Sequence, residues 1–132
     1  MLKRWCRKFP GLPRQVAEAR DFVAALLGDE GSAPVDDALL IVSELATNAV
    51  RHTRSGRYGG WFLVAVGFGD DVVRIEVFDA GGDKEPLLRS INSDVEEGGR
   101  GLLLIAACAK NWGVQDRPYG RCVWAELARV NA

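Results

Sequence analysis

Between Pro13 and Leu27 the apolar residues Val16, Ala19, Phe22, Val23, Leu26 and Leu27 recur at three- and four-residue spacing, which predicts a helix ended by Gly28. Gly31-Ser32-Ala33-Pro34 breaks the chain. A second helix is predicted from about Pro34 to about Thr53, with proline well suited to a first turn. Tyr58-Gly59-Gly60 opens a strand over Trp61–Phe68, Gly69-Asp70-Asp71 turns, and Val72–Phe78 alternates as a second strand, giving a hairpin. Asp83–Glu97 is polar and aperiodic and predicts a long surface loop, a feature compact domains seldom carry without a task for it. Gly101–Lys110 predicts a short apolar helix, and Trp112–Asp116 and Cys122–Leu127 two further strands. Helix, helix, hairpin, loop, helix, hairpin is the order of an α+β two-layer sandwich. Basic residues cluster in the first fourteen positions (Lys3, Arg4, Arg7, Lys8, Arg14), and the expectation there is a solvated terminus.

Composition narrows the function classes. A chain of 132 residues with 48% hydrophobic and 27% charged side chains fits one globular domain spanning 1–132. Net charge is −1, which offers no global attraction to nucleic acid or to an anionic membrane. The longest apolar runs, Trp61–Phe68 and Leu102–Ala109, are far shorter than the ~20 residues of a membrane-spanning helix. Met1–Phe9 is basic but interrupted by Trp5 and Cys6, so no secretory leader is expected. Cys6, Cys108 and Cys122 have no metal-type spacing, and His52 is the one histidine. The expectation is a reduced, cytoplasmic protein without zinc or disulfides.

The second helix carries candidate chemistry. At 100° per residue, Ala38, Leu39, Val42, Leu45, Ala46, Ala49 and Val50 share one face. Asp37, Glu44, Thr47, Asn48, Arg51 and, at the margin, His52 share the other, which is either a solvated stripe or a site. Leu40 and Ile41 fall among these polar residues, as if that face were also partly covered. Glu44 and Asn48 lie one turn apart and can reach one ligand. A carboxylate can take a proton from a hydroxyl, and an amide oxygen is a hard ligand suited to Mg²⁺. Arg51 adds a cation that can pair with phosphate.

Two glycine segments follow. Asp79-Ala80-Gly81-Gly82 ends the second strand; it is either a plain turn or a place where backbone approaches a flat ligand while Asp79 accepts from an exocyclic amine. Gly98-Gly99-Arg100-Gly101-Leu102 precedes a helix and can form a nest of N–H groups that favours phosphate.

Taken in order, Glu44-Leu45-Ala46-Thr47-Asn48-Ala49-Val50-Arg51-His52, Asp79-Ala80-Gly81, Gly98-Gly99-Arg100-Gly101-Leu102 and Gly120-Arg121-Cys122-Val123-Trp124 resemble the histidine-kinase-like ATPases of the GHKL superfamily. Within it, the chain looks most like the bacterial anti-sigma-factor serine-protein kinases. The resemblance covers nearly the whole chain and implies a Bergerat-type sandwich, a mixed or antiparallel sheet with helices on one face. It implies ATP and Mg²⁺ as cofactors. Asn48 matches the metal-ligating asparagine, Glu44 the general base, Asp79 the aspartate that reads the adenine amino group and Gly81 the glycine beneath the base. Gly98, Gly99, Arg100, Gly101 and Leu102 match the lid around the phosphates. Arg51 takes the place of a basic residue facing them, and His52 that of a His or Tyr packing near the nucleotide. Two positions depart from the pattern: Asp83 stands for the final glycine of the adenine loop, and Cys122 for a threonine that supports the adenine network. A thiol donates more weakly than a hydroxyl, and Cys122 also fits a buried strand position.

The resemblance implies a serine/threonine protein kinase that phosphorylates an anti-anti-sigma protein and sequesters a sigma factor, with no direct nucleic-acid or membrane partner and a possible homodimer. The alternative is a non-catalytic ATP-binding switch module. A sensor-kinase fragment fits less well, because no long helix bears a phosphoacceptor histidine.

Overall fold

The computed structural model describes residues 3–30, 34–52, 60–79, 105–118 and 120–129. Strand β1 (Lys3–Pro10) is followed by helices α1 (Gln15–Glu30) and α2 (Val35–His52), strands β2 (Trp61–Phe68) and β3 (Val72–Asp79), a helical turn at 105–108, and strands β4 (Asn111–Arg117) and β5 (Gly120–Ala128). The strands form one sheet in the order β1-β2-β3-β5-β4, and every neighbouring pair is antiparallel. The fold is therefore α+β, and of the two sheet types expected it is the antiparallel one.

Both expected hairpins form, β2–β3 around Gly69–Asp71 and β4–β5 around Pro118. The amide of Gly69 donates to the Val72 carbonyl at 2.8 Å to close the first turn. Helix α1 starts after Pro13 and α2 after Pro34, whose carbonyl accepts from the Ala38 amide at 3.0 Å. Asp36 and Asp37 lie in the first turn of α2, where the positive end of the helix dipole favours carboxylates. The loop expected over Asp83–Glu97, and residues 101–104 of the third predicted helix, lie outside the described residues.

Period two in the strands and period three to four in the helices place the core between them. Phe62, Val64, Val66 and Phe68 of β2, Val73, Ile75 and Val77 of β3, and Val123, Ala125 and Leu127 of β5 are buried on one sheet face. Ala19, Val23 and Leu27 of α1, Ala38, Ile41, Val42, Leu45, Ala46 and Ala49 of α2, and Ile105 complete this cluster. Helix α2 packs over β2, β3 and β5, and α1 packs on α2 and reaches β1.

The opposite sheet face carries a chain of charges. Arg4 Nη2 of β1 lies 3.0 Å from Glu76 Oε1 of β3, spanning β2 where it presents only Gly67 and Ala65. Arg74 meets Glu76 at 3.4 Å and Glu126 at 3.0 Å, and Asn111 of β4 donates to Glu126 at 3.3 Å. Arg74 also lies 4.1 Å above the Trp124 ring. That indole covers Gly113, where a Cβ would stand 2.8 Å from Trp124 Cζ2.

The basic start of the chain is a strand rather than a solvated terminus. Its side chains from Lys3 to Lys8 are exposed, which hides a strand from any search for apolar alternation; only Phe9 is buried. Phe9 stacks on Phe62 (5.3 Å between centroids) and meets Phe22 edge-on at 5.9 Å, pinning β1 to the core.

Candidate functional site

Helix α2 sets the first half of the site. Its polar stripe is not a freely solvated face: Glu44, Thr47 and Asn48 are half-buried, Leu40 is half-buried and Ile41 fully buried. Coverage on both sides suits a helix that lines a ligand cleft. Glu44 and Asn48 stand one turn apart, and Arg51 at the end of the helix is exposed. The backbone of His52 closes α2; its side chain lies outside the described residues.

Strand β3 sets the second half. Its helix-facing positions run Val73, Ile75, Val77, Asp79, so the pleat that buries three apolar side chains also turns the Asp79 carboxylate toward the helix layer. Asp79 is 4% exposed and lies directly across from Arg121 of β5, itself 2% exposed. Arg121 Nε donates to Asp79 Oδ2 at 3.0 Å, a buried charge-assisted hydrogen bond. Asp79, Arg121, Gly120, Phe78, Trp61, Arg117 and Pro118 line a cavity of about 290 Å³ at this end of the strands. That is the lower end of the size range of small-molecule sites. A larger cavity of about 480 Å³ lies beside Lys8–Leu12 and Gly60, with Trp61 shared between the two.

The structure does not bring Cys122 to Asp79. Successive strand residues face opposite sides, so Cys122 points to the charged sheet face, with its Sγ 3.9 Å from Glu76 Oε2. Its thiol is pushed up to about 11, by burial first and then by the Glu76 charge. The position across from Asp79 belongs to Arg121, which motif reading passes over. The signal lay in the strand pairing: once Val77 is opposite Val123, Asp79 must be opposite its second neighbour. Gly81, Gly98, Gly99, Arg100, Gly101 and Leu102 lie outside the described residues.

At the other side of the helix layer, Ile105 is buried and the Cys108 thiol is raised, by desolvation first and then by the charge and hydrogen bond of Asp37. Among the described residues no cluster of three or more His, Cys, Asp or Glu side chains could hold a metal on its own. The half-buried Asn48 offers a single amide oxygen, a hard donor of the kind that suits a cation otherwise completed by phosphate and water.

The structure is thus a two-layer sandwich, an antiparallel sheet under two helices, with a buried acid at the end of β3 and a half-buried Glu/Asn pair on the helix packed over it. The sequence model of the histidine kinase-like ATPase domain matches residues 9–127, from Phe9 in β1 to Leu127 in β5. The chain belongs to that family, and hence to the GHKL superfamily of ATP-binding domains. None of the curated proteins searched matches it. No helix among the described residues is long and apolar enough to cross a membrane.

Proposed function

We propose that this ATPase-type domain is a protein serine/threonine kinase of the anti-sigma-factor type, which phosphorylates an anti-anti-sigma protein and sequesters a sigma factor. The observation that carries the reading is the half-buried pair Glu44 and Asn48 on α2, beside a sheet whose Asp79 is turned to the same layer. A module that only bound nucleotide would have no use for a carboxylate one helical turn from the metal-ligating amide.

In this reading Asp79 accepts a hydrogen bond from the exocyclic amine of adenine, and Gly81 matches the family's glycine for the base. The glycine segment 98–101 matches the family's phosphate lid, and Arg51 the basic residue that serves the phosphates. Mg²⁺, held by Asn48, would supply charge neutralisation for the transferring phosphoryl group. Glu44 Oε accepts the proton of the acceptor serine while the serine oxygen bonds to the γ-phosphorus; the bond from that phosphorus to the bridging oxygen breaks, and ADP leaves. Positioning and electrostatics provide most of the acceleration.

The test mixes the protein with Mg²⁺, γ-labelled ATP and candidate partners of the anti-anti-sigma fold. Label is expected on a partner serine. Glu44→Gln keeps shape and much of the hydrogen bonding but removes the base, so transfer should slow by about 10²–10⁴-fold while ATP binding stays close to normal. An unchanged transfer rate in the Gln variant would remove Glu44 from the mechanism. Tight ATP-dependent partner binding with no transfer would establish a switch module instead.

A further inference from the structure

Every helix-facing position of β3 and β5 in the sheet centre is apolar (Val73, Ile75, Val77, Val123, Ala125, Leu127) until the pattern breaks at Asp79 and Arg121. The two breaks are directly opposite each other, and both side chains are at most 2% exposed. For stability alone such a pair is a poor choice. Desolvating two charges costs several kcal/mol per ion in general, and well-packed apolar replacements are often neutral or stabilising. Base recognition accounts for Asp79. Nothing in that reading accounts for Arg121, whose chain neighbours Val123 and Ala125 show what the sheet otherwise places there.

We propose that Arg121 is the positioning residue of the base site: its guanidinium balances the charge of Asp79 and fixes the carboxylate in the orientation that accepts the exocyclic amine of adenine. The proposal rests on the reading of Asp79 as that acceptor. The geometry suits the role. Donation from Nε to Oδ2 at 3.0 Å holds one carboxylate oxygen, and Nε is a directional donor of a rigid planar group rather than a point charge. A carboxylate has about four lone-pair positions, of which the Nε donor of Arg121 takes one on Oδ2. The strand pairing holds the two backbones directly opposite each other. Removing Arg121 would take away the guanidinium that Asp79 Oδ2 meets at 3.0 Å, and a buried acid that loses such a charge is pushed toward taking a proton or turning to another donor. Either change costs the site its grip on the amine and leaves the rest of the nucleotide's contacts in place.

The discriminating ligand is purine riboside triphosphate, which is ATP without the amino group. Wild type should bind ATP about ten- to a hundredfold more tightly than this analogue, the usual worth of a hydrogen bond to a charged group. In Arg121→Gln the ratio should fall to within about threefold of parity, and in Arg121→Lys, which keeps the charge and loses the fork, it should recover part of the way. A wild-type ratio of one removes Asp79 as the amine acceptor, and the proposal with it. A wild-type preference for ATP that survives intact in Arg121→Gln, with both ligands weakened equally, leaves Asp79 in place and overturns the role of Arg121. Should the Gln variant fail to fold, the wild-type protein still decides. The Arg121 Nε–H resonance should shift on saturation with ATP and shift far less with the analogue; an equal response to both ligands, or no response to ATP, overturns the proposal.

Discussion

Replacing Phe9 by alanine should release β1 from the sheet. Phe9 is the one buried side chain of that strand, fully shielded between the Phe62 ring at 5.3 Å, the Phe22 edge at 5.9 Å and Arg7, whose guanidinium lies 4.8 Å from its centroid. Truncating a buried phenylalanine typically costs about 3–5 kcal/mol, part of it the cavity left behind. The two ring contacts contribute about 0.5–1.5 kcal/mol each beyond area. The 480 Å³ cavity that Phe9 lines gives water a route to the vacated space, which limits the cavity part. A loss of about 3–4 kcal/mol is therefore expected. At an unfolding entropy of about 2.1 cal/mol/K per residue, this lowers Tm by roughly 10–15 °C. Phe9→Leu should cost only about 1 kcal/mol, since most of the volume stays. Urea and thermal melts give the global loss, and hydrogen exchange resolved by segment gives its location. Protection should fall first over Lys3–Pro10, ahead of β2 and β3. A Tm change in Phe9→Ala under about 4 °C, or a loss of protection spread evenly over the sheet, would refute the view that this side chain is the main anchor of the edge strand.

Gly113→Ala puts a Cβ 2.8 Å from Trp124 Cζ2 and 3.1 Å from its Nε1, and the indole has Arg74 above it at 4.1 Å, so the ring must leave its place. The expected cost is about 1–3 kcal/mol, with a change in tryptophan emission; a variant as stable as wild type with unaltered emission would contradict this packing. The Cys122 thiol is raised from 9.0 in the unfolded chain to about 11 in the fold, so the fold prefers it protonated. Its contribution is complete below pH 9 and is lost as pH climbs through about 11. Urea midpoints should therefore fall more steeply over that window in wild type than in Cys122→Ala, and parallel pH profiles would rule the contribution out. Thiol reagents should modify the exposed Cys6 well before Cys122, and the reverse order would overturn the burial assignment.

Helices α1 and α2 and strands β2, β3 and β5 were legible because each shows an apolar face: Trp61–Phe68 has the boundaries the pattern implies, and α2 runs to His52 against an expected end near Thr53. Strand β1 was illegible for a physical reason. An edge strand at the rim of the helix layer buries one residue in eight, and seven polar or exposed positions read as solvent. The motif residues on α2 and β3 were legible because chemistry restricts their types. Arg121 was not, since its meaning comes from a partner across the sheet, and a linear motif contains no register. The same gap misplaced Cys122: strand parity puts it on the charged face, beside Glu76.

The sheet order has a consequence for how the chain is made. Strand β1 comes first in the sequence, but among the described residues its one neighbour in the sheet is β2, with Lys3 opposite Phe68. During synthesis it waits unpaired while α1 and α2, which pack on each other, are completed. An unpaired strand is a template for association with other nascent chains. Lys3, Arg4, Arg7 and Lys8 make this one repel its own copies for as long as it waits. Once β2 and β3 are in place, Arg4 exchanges water for Glu76 and the same charge that kept the strand apart closes it onto the sheet.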